Sequence, residues 1–260
     1  MKRNFYAGSL FFALSFFLWL GLMPSAIGAI VKDDFFTLLE SGDIADIEAA
    51  IQKGQDLEEE GGGGWTPLFV AVRRGGPEVV RLLLDASVNP RDKSGNTALH
   101  DSVLGGDEEP ALLLLQAGAD ASVVNNEGVT PIWGASAMGL PRVVSALLER
   151  GANPNVRIDG MTPLHIATGV GLLRRKSSGK WESFGEMLKR IGKEETDFLE
   201  VTRLLVEAGA EVNALSDLGE SETGERGTPL DVAEEGGNTM VAEYLKSVGG
   251  RNKKPWNWPL

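Results

Sequence analysis

The stretch GMTPLHIAT, Gly160 to Thr168, decides how the rest of the chain is read, because near copies of it recur. GWTPLFVAV begins at Gly64, GNTALHDSV at Gly95, GVTPIWGAS at Gly128 and GTPLDVAEE at Gly227. The shared threonines are Thr66, Thr97, Thr130, Thr162 and Thr228, with successive gaps of 31, 33, 32 and 66 residues. Self-similarity at a period in this range is the signature of a stacked repeat architecture.

Each copy runs into a leucine-rich segment about 17 residues after its Thr, as in VVRLLLDA, PALLLLQAGADAS, VVSALLERGANPN and VAEYLKSVG. Apolar positions there fall three and four apart, for example Val79, Leu82 and Leu83, which predicts a helix with one buried face. Gly118, Gly151 and Gly209 stand where a left-handed residue ends such a helix, and Ser87 takes that place in the first copy. The repeating unit is therefore helix, turn, helix and a finger-like turn. With its period near 33 and its T-P-L-H-x-A motif, the chain resembles the ankyrin repeat family over residues 33–250. The resemblance implies an all-α solenoid of about six units: a capping unit 33–63, then repeats 64–94, 95–127, 128–159, 160–226 and 227–250, with a tail 251–260. The capping unit, DDFFTLLESGDIADIEAAIQKGQDLE, lacks the motif but carries two short amphipathic helices joined at Gly42 and closed by Gly54. A stack needs such an end unit to cover a hydrophobic flank.

The gap of 66 equals two periods, but phase excludes a hidden unit. The expected leucine pair is Leu204 and Leu205, 42 residues after Thr162, which leaves an excess of 25 between the two helices of one repeat. That insertion, about 171–197, opens with four cations, Arg174, Arg175, Lys176 and Lys180. It continues as WESFGEMLKRI, where Trp181, Phe184, Leu188 and Ile191 share one helical face. A second excess, LSDLGESETGER, carries Asp217, Glu220, Glu222 and Glu225 and reads as a solvated loop. The added helix either packs on the stack or offers its basic entry loop to an acidic partner or a membrane surface.

At the N-terminus, Lys2 and Arg3 precede the apolar run AGSLFFALSFFLWLGLM and a helix-breaking Pro24, the three-part pattern of an export signal. Residues 1–28 are expected to act as a signal peptide, so that the protein works in the periplasm or outside the cell. The 17-residue run leaves an uncleaved membrane anchor as the alternative. The formal charge of −12 disfavours a phosphate backbone as ligand, so no nucleic acid is expected. With no cysteine, stability rests on packing without disulfides.

Chemistry finds few reagents. His100 and His165 are the only histidines and both hold the fourth position of the T-x-L-H turn, a structural place in the family it resembles. Thiol and His-based nucleophilic catalysis lack their groups. GASAM around Ser136 lacks the second glycine of a nucleophile elbow, and GGGG at 61–64 lacks the G-K-[ST] of a phosphate loop and reads as a flexible finger. No catalytic residue, metal or cofactor is expected, and the protein is read as no enzyme.

The resemblance instead implies a protein partner held on a concave face by the residue before each Thr, the finger tips and the exposed ends of first helices. In this chain those are Trp65, Arg73, Arg74, Lys93, Asn96, Leu104, Glu127, Val129, Met138, Met161 and Val170. Trp133 replaces the turn histidine in the third full repeat and either packs between turns or joins this cluster. Membrane contact is expected only through the N-terminus or the basic insertion, and a monomer is expected. An accessory role towards an exported enzyme, an inhibitor or immunity-type role, and an anchored scaffold all fit this reading. Trp256 and Trp258 of the tail are expected to cap the last repeat.

Overall fold

The computed structural model describes residues 34–61, 63–85, 88–106, 108–158, 160–168, 184–216 and 227–253. The N-terminal apolar segment, Ser87, Val170, the cations Arg174, Arg175, Lys176 and Lys180, Trp181, the acidic loop from Asp217 to Glu225, and Trp256 and Trp258 lie outside them. Contacts divide the chain into two compact units, one holding the described residues up to Pro131 and the other those from Ile132 onward.

In the first unit, α1 (Asp34–Ser41) and α2 (Ile44–Gln52) form the capping pair. Phe35, Phe36, Leu39 and Ile47 are buried, and the Asp43 side chain accepts from the Asp46 N–H at the start of α2. Next come α3 (Pro67–Val70), a π-helical turn (Ala71–Gly75) and α4 (Gly76–Leu82), then α5 (Ala98–Gly105) and α6 (Glu108–Gln116). First helices stack on first helices, α1 on α3 and α3 on α5, and second helices do the same through α2, α4 and α6. The wide turn at AVRRG replaces the plain helix end that the sequence suggests and leads directly into α4.

The second unit contains α7 (Pro131–Ala137) from Ile132 onward, α8 (Pro141–Glu149), α9 (Pro163–Ile166), α10 (Phe184–Ile191), α11 (Glu195–Glu207), α12 (Pro229–Gly236) and α13 (Thr239–Ser247). Second helices again pack in series, α8 on α11 and α11 on α13, while α9 lies against α12. Among the described residues this makes six helix pairs, with α10 the supernumerary helix between α9 and its partner α11. The insertion therefore separates the two helices of one repeat, as phase requires. The added helix is described from Phe184, and α11 already begins at Glu195, inside the range read as inserted.

The register also shifts by one. Leu83, Leu114, Leu147 and Leu245, each 17 residues after its Thr, are fully buried, and in the long repeat the fully buried leucine is Leu205. Leu205 precedes Gly209 by four, as Leu114 precedes Gly118 and Leu147 precedes Gly151, so the excess is 26 residues rather than 25. Burying a leucine is worth about 2 kcal/mol, so this row of positions is a main source of cohesion along each stack. No strand is present among the described residues; the finger before α9 is closed by a single bridge between Ile158 and Met161.

Candidate partner-binding surfaces

The fingers are built by short polar side chains that fold the backbone onto itself. Asp92 Oδ1 accepts from the N–H groups of Ser94 and Asn96 at 2.9 and 2.8 Å. Asn125 Oδ1 does the same for Glu127 and Val129 at 3.0 and 2.8 Å. Neighbouring fingers are then joined: the Lys93 N–H donates to Gly63 O at 3.1 Å, the Asn126 N–H to Ser94 O at 3.0 Å, and Asn125 Nδ2 to Asn96 Oδ1 at 2.8 Å. Gly61, Gly63 and Gly64 take part in this bonding: the Gly61 N–H donates to Trp65 O at 2.8 Å and the Gly64 N–H to Gly61 O at 3.2 Å, while Gly62 lies outside the described residues.

Where Thr meets His, the turn closes with one consistent polarity. The Thr97 N–H donates to His100 Nδ1 at 3.1 Å, and His100 Nε2 lies 3.2 Å from Val129 O. In the second unit the Thr162 N–H donates to His165 Nδ1 at 3.2 Å, and His165 Nε2 lies 3.2 Å from Gly227 O. A carbonyl only accepts, so the proton of each imidazole sits on Nε2 and Nδ1 is the acceptor. Burial lowers both histidines to about 4, against the help of the carbonyls they donate to, so both rings are neutral near pH 7. Neither ring is placed for proton transfer or metal binding, and among the described residues no cluster could hold a metal ion. Ser136 is fully buried and donates to Ile132 O at 2.8 Å within its own helix.

The repeats without that histidine differ. Phe69 and Trp133 occupy its place after Thr66 and Thr130, and the Oγ1 atoms of these two threonines are buried with no hydrogen-bond partner. Trp133 is half-buried and its Nε1 is likewise buried without a partner, so the indole does not replace the lost link.

Of the residues expected to meet a partner, Asn96, Leu104, Val129 and Met138 are buried, and this corrects their assignment as contact positions. Asn96 is held by Asn125, the Val129 carbonyl receives the His100 proton, and Leu104 and Met138 lie in the packed interior of their helix pairs. Arg74, Lys93 and Glu127 are exposed, and Trp65 and Met161 are half-buried. The best-defined constellation lies in the first unit. The Arg73 guanidinium lies 4.4 Å from the centroid of the Trp65 ring. It also donates from Nε to Asp101 Oδ2 at 2.7 Å and from Nη2 to Asp101 Oδ1 at 3.2 Å. The Asp101 side chain is 1% exposed and that of Arg73 17%. Burial pushes the Asp101 carboxyl above its ordinary range, with Arg73 pulling it partly back. Sequence reading found Trp65 and Arg73 but not Asp101; the signal was an acid directly after the turn histidine, at a position otherwise apolar or small.

A family model of ankyrin repeats, in three copies, matches residues 36–125 and 104–173, more than half of the chain. The chain belongs to the ankyrin repeat family. Ankyrin repeats mediate protein–protein interaction and are generally non-catalytic. This ankyrin-repeat chain is 34% identical over 138 residues to "Ankyrin repeat, SAM and basic leucine zipper domain-containing protein 1" of Dasypus novemcinctus, covering 51% of this chain and 28% of that protein. It is 36% identical over 118 residues to "B-cell lymphoma 3 protein homolog" of Mus musculus, covering 42% and 26%. The chain thus spans only about a quarter of the length of these curated relatives. In fold it is similar to the crystal structure of an ankyrin repeat domain from Acinetobacter baumannii AYE, with a TM-score of 0.62 and 22% identity over 84% of this chain and 98% of that one.

Proposed function

We propose that this protein is a non-catalytic binding module that works after export and holds a protein partner on the fingers and first-helix ends of its repeats. The observation that carries the reading is the Trp65–Arg73–Asp101 arrangement. A half-exposed indole is fixed by a guanidinium that is itself clamped in two directions, by the ring and by a buried carboxylate. Indole and guanidinium groups dominate interface energetics when their geometry is set beforehand, because little side-chain entropy is then lost on binding. Arg74, Lys93 and Glu127 stand exposed in the same unit and supply polar contacts around that anchor. Export rests on Lys2, Arg3, the apolar run and Pro24, and a cut after Gly28 would leave an N-terminus at Ala29.

Affinity capture from the exported fraction tests the reading, using the wild-type protein and the Trp65→Ala and Lys93→Glu variants. A partner retained by the wild type and lost by both variants, with Lys93→Glu melting within about 1 °C of wild type, supports it. An enriched set that neither variant alters overturns it. N-terminal sequencing of the exported protein checks the processing step: a chain still beginning at Met1 in the membrane fraction would make it an anchored scaffold.

A further inference from the structure

Three asparagines, one in each of three repeats, do the same work. Asn89 Oδ1 accepts from the Asp120 N–H at 2.9 Å, two residues after Gly118. Asn155 Oδ1 accepts from the Glu211 N–H at 2.8 Å, two residues after Gly209, and its Nδ2 donates to Gly209 O at 3.0 Å. Asn213 Oδ1 accepts from the Arg251 N–H at 2.7 Å, two residues after Gly249, and its Nδ2 donates to Gly249 O at 3.1 Å. The backbone from Gly249 to Arg251 is therefore received as a finger would be.

Beyond Arg251 the polarity of the turn reverses. His100 and His165 donate from Nε2 to the carbonyl of the residue before the next Thr. In the last repeat this position is Asp231, which accepts from the Thr228 N–H at 2.8 Å, as the histidines do, but has no proton to offer a carbonyl. It receives donors instead: the Lys253 N–H reaches Oδ2 at 3.1 Å and Asn252 Nδ2 reaches Oδ1 at 2.9 Å. Asn252 Nδ2 also lies 2.8 Å from Glu234 Oε2, and the Thr228 hydroxyl lies 2.9 Å from Arg251 O.

We propose that Gly249–Lys253 straps the α12–α13 pair closed, with Asp231 as the receptor that holds its N–H groups where a histidine would hold a carbonyl. A continuing repeat presents a carbonyl at this point, and a carboxylate repels it. The strap presents N–H groups, and a histidine would turn them away. The residue three positions after the Thr thereby sets whether this edge receives a carbonyl, as at His165, or N–H groups, as at Asp231.

Amide hydrogen exchange followed by NMR on the full chain tests this, with the wild type, Asp231→His and Asn213→Ala. In the wild type the Lys253 amide should exchange at least tenfold more slowly than in a free peptide. Asp231→His preserves an acceptor for the Thr228 N–H, so that amide should stay protected while Lys253 falls to the free-peptide rate. Asn213→Ala lies outside α12 and should speed exchange at Arg251 and Lys253 at least tenfold without exposing Thr228. An unprotected Lys253 amide in the wild type overturns the proposal. So does a Lys253 amide that stays protected in Asp231→His, or one that Asn213→Ala leaves unmoved.

Discussion

A threonine hydroxyl at the start of each first helix has two fates, set by the residue three positions on. At Thr97 it lies 3.1 Å from His100 Nδ1 and caps the helix, whereas at Thr66 it is buried without a partner because Phe69 has nothing to offer. Removing a satisfied buried hydroxyl costs about 1–2 kcal/mol, and removing an orphaned one is near neutral or favourable. Thr97→Val should therefore lower the urea midpoint clearly and Thr66→Val should leave it unchanged or raise it; equal losses would count against this account. Glycine offers a second contrast. Gly95 has φ +75 and a Cβ there would stand 2.5 Å from Asn126 Oδ1 and 2.9 Å from Asn126 N, while Gly42, at φ +72, faces open space. Gly42→Ala should cost only the left-handed strain, about 1 kcal/mol, and Gly95→Ala distinctly more, because it also displaces the neighbouring finger. The fate of each hydroxyl was legible in the sequence, since T-x-L-H, T-P-L-F and T-P-I-W name the acceptor or its absence. The clash at Gly95 was not, because Asn126 meets it only after the fingers have stacked.

At the scale of elements, α3 and α5 are joined by more than apolar packing. Arg73 reaches from the π-helical turn to Asp101 on α5, within one unit. Removing one partner of a buried pair strands the other charge, at a cost of about 3–5 kcal/mol. Arg73→Ala should thus destabilise strongly in chemical unfolding, and Arg73→Ala with Asp101→Leu should recover much of the loss. An additive double variant would show that the pair is not coupled. The period placed every helix in the right order, because the leucine row and its glycines are local signals that recur. Helix ends were less legible: Arg73 in the π-helical turn pairs with Asp101, 28 residues away, a contact that no local pattern announces, and α11 begins at Glu195, inside the range read as inserted. Of the contact residues immediately before Thr, Asn96 and Val129 are buried and Trp65 and Met161 half-buried; at Asn96 the cover comes from Asn125 of the neighbouring finger.

For the molecule as a whole, acid should be the condition that loosens it, for a reason carried by one histidine in each unit. Both rings are neutral, donate from Nε2 and accept at Nδ1 from a backbone N–H, so a second proton on the ring would face a donor. Their folded values are lowered from 6.5 to about 4, while the unfolded chain binds these protons near 6.5. Because the unfolded state holds more protons between these limits, stability rises with pH across that window. The contribution of the neutral histidines is fully present above pH 6.5 and is lost progressively as pH falls towards 4, on the order of 3 kcal/mol for each ring. The expected result is an unfolding free energy whose slope against pH approaches two protons between pH 6 and 4.5. In His100→Gln or His165→Gln the amide oxygen can still accept from the Thr N–H, and the slope should fall by about one proton. Carboxylates that titrate in the same range remain in both variants, so the difference between wild type and variant isolates the ring. If the slope is the same with and without His100 and His165, these imidazoles are not the groups that set the acid limit.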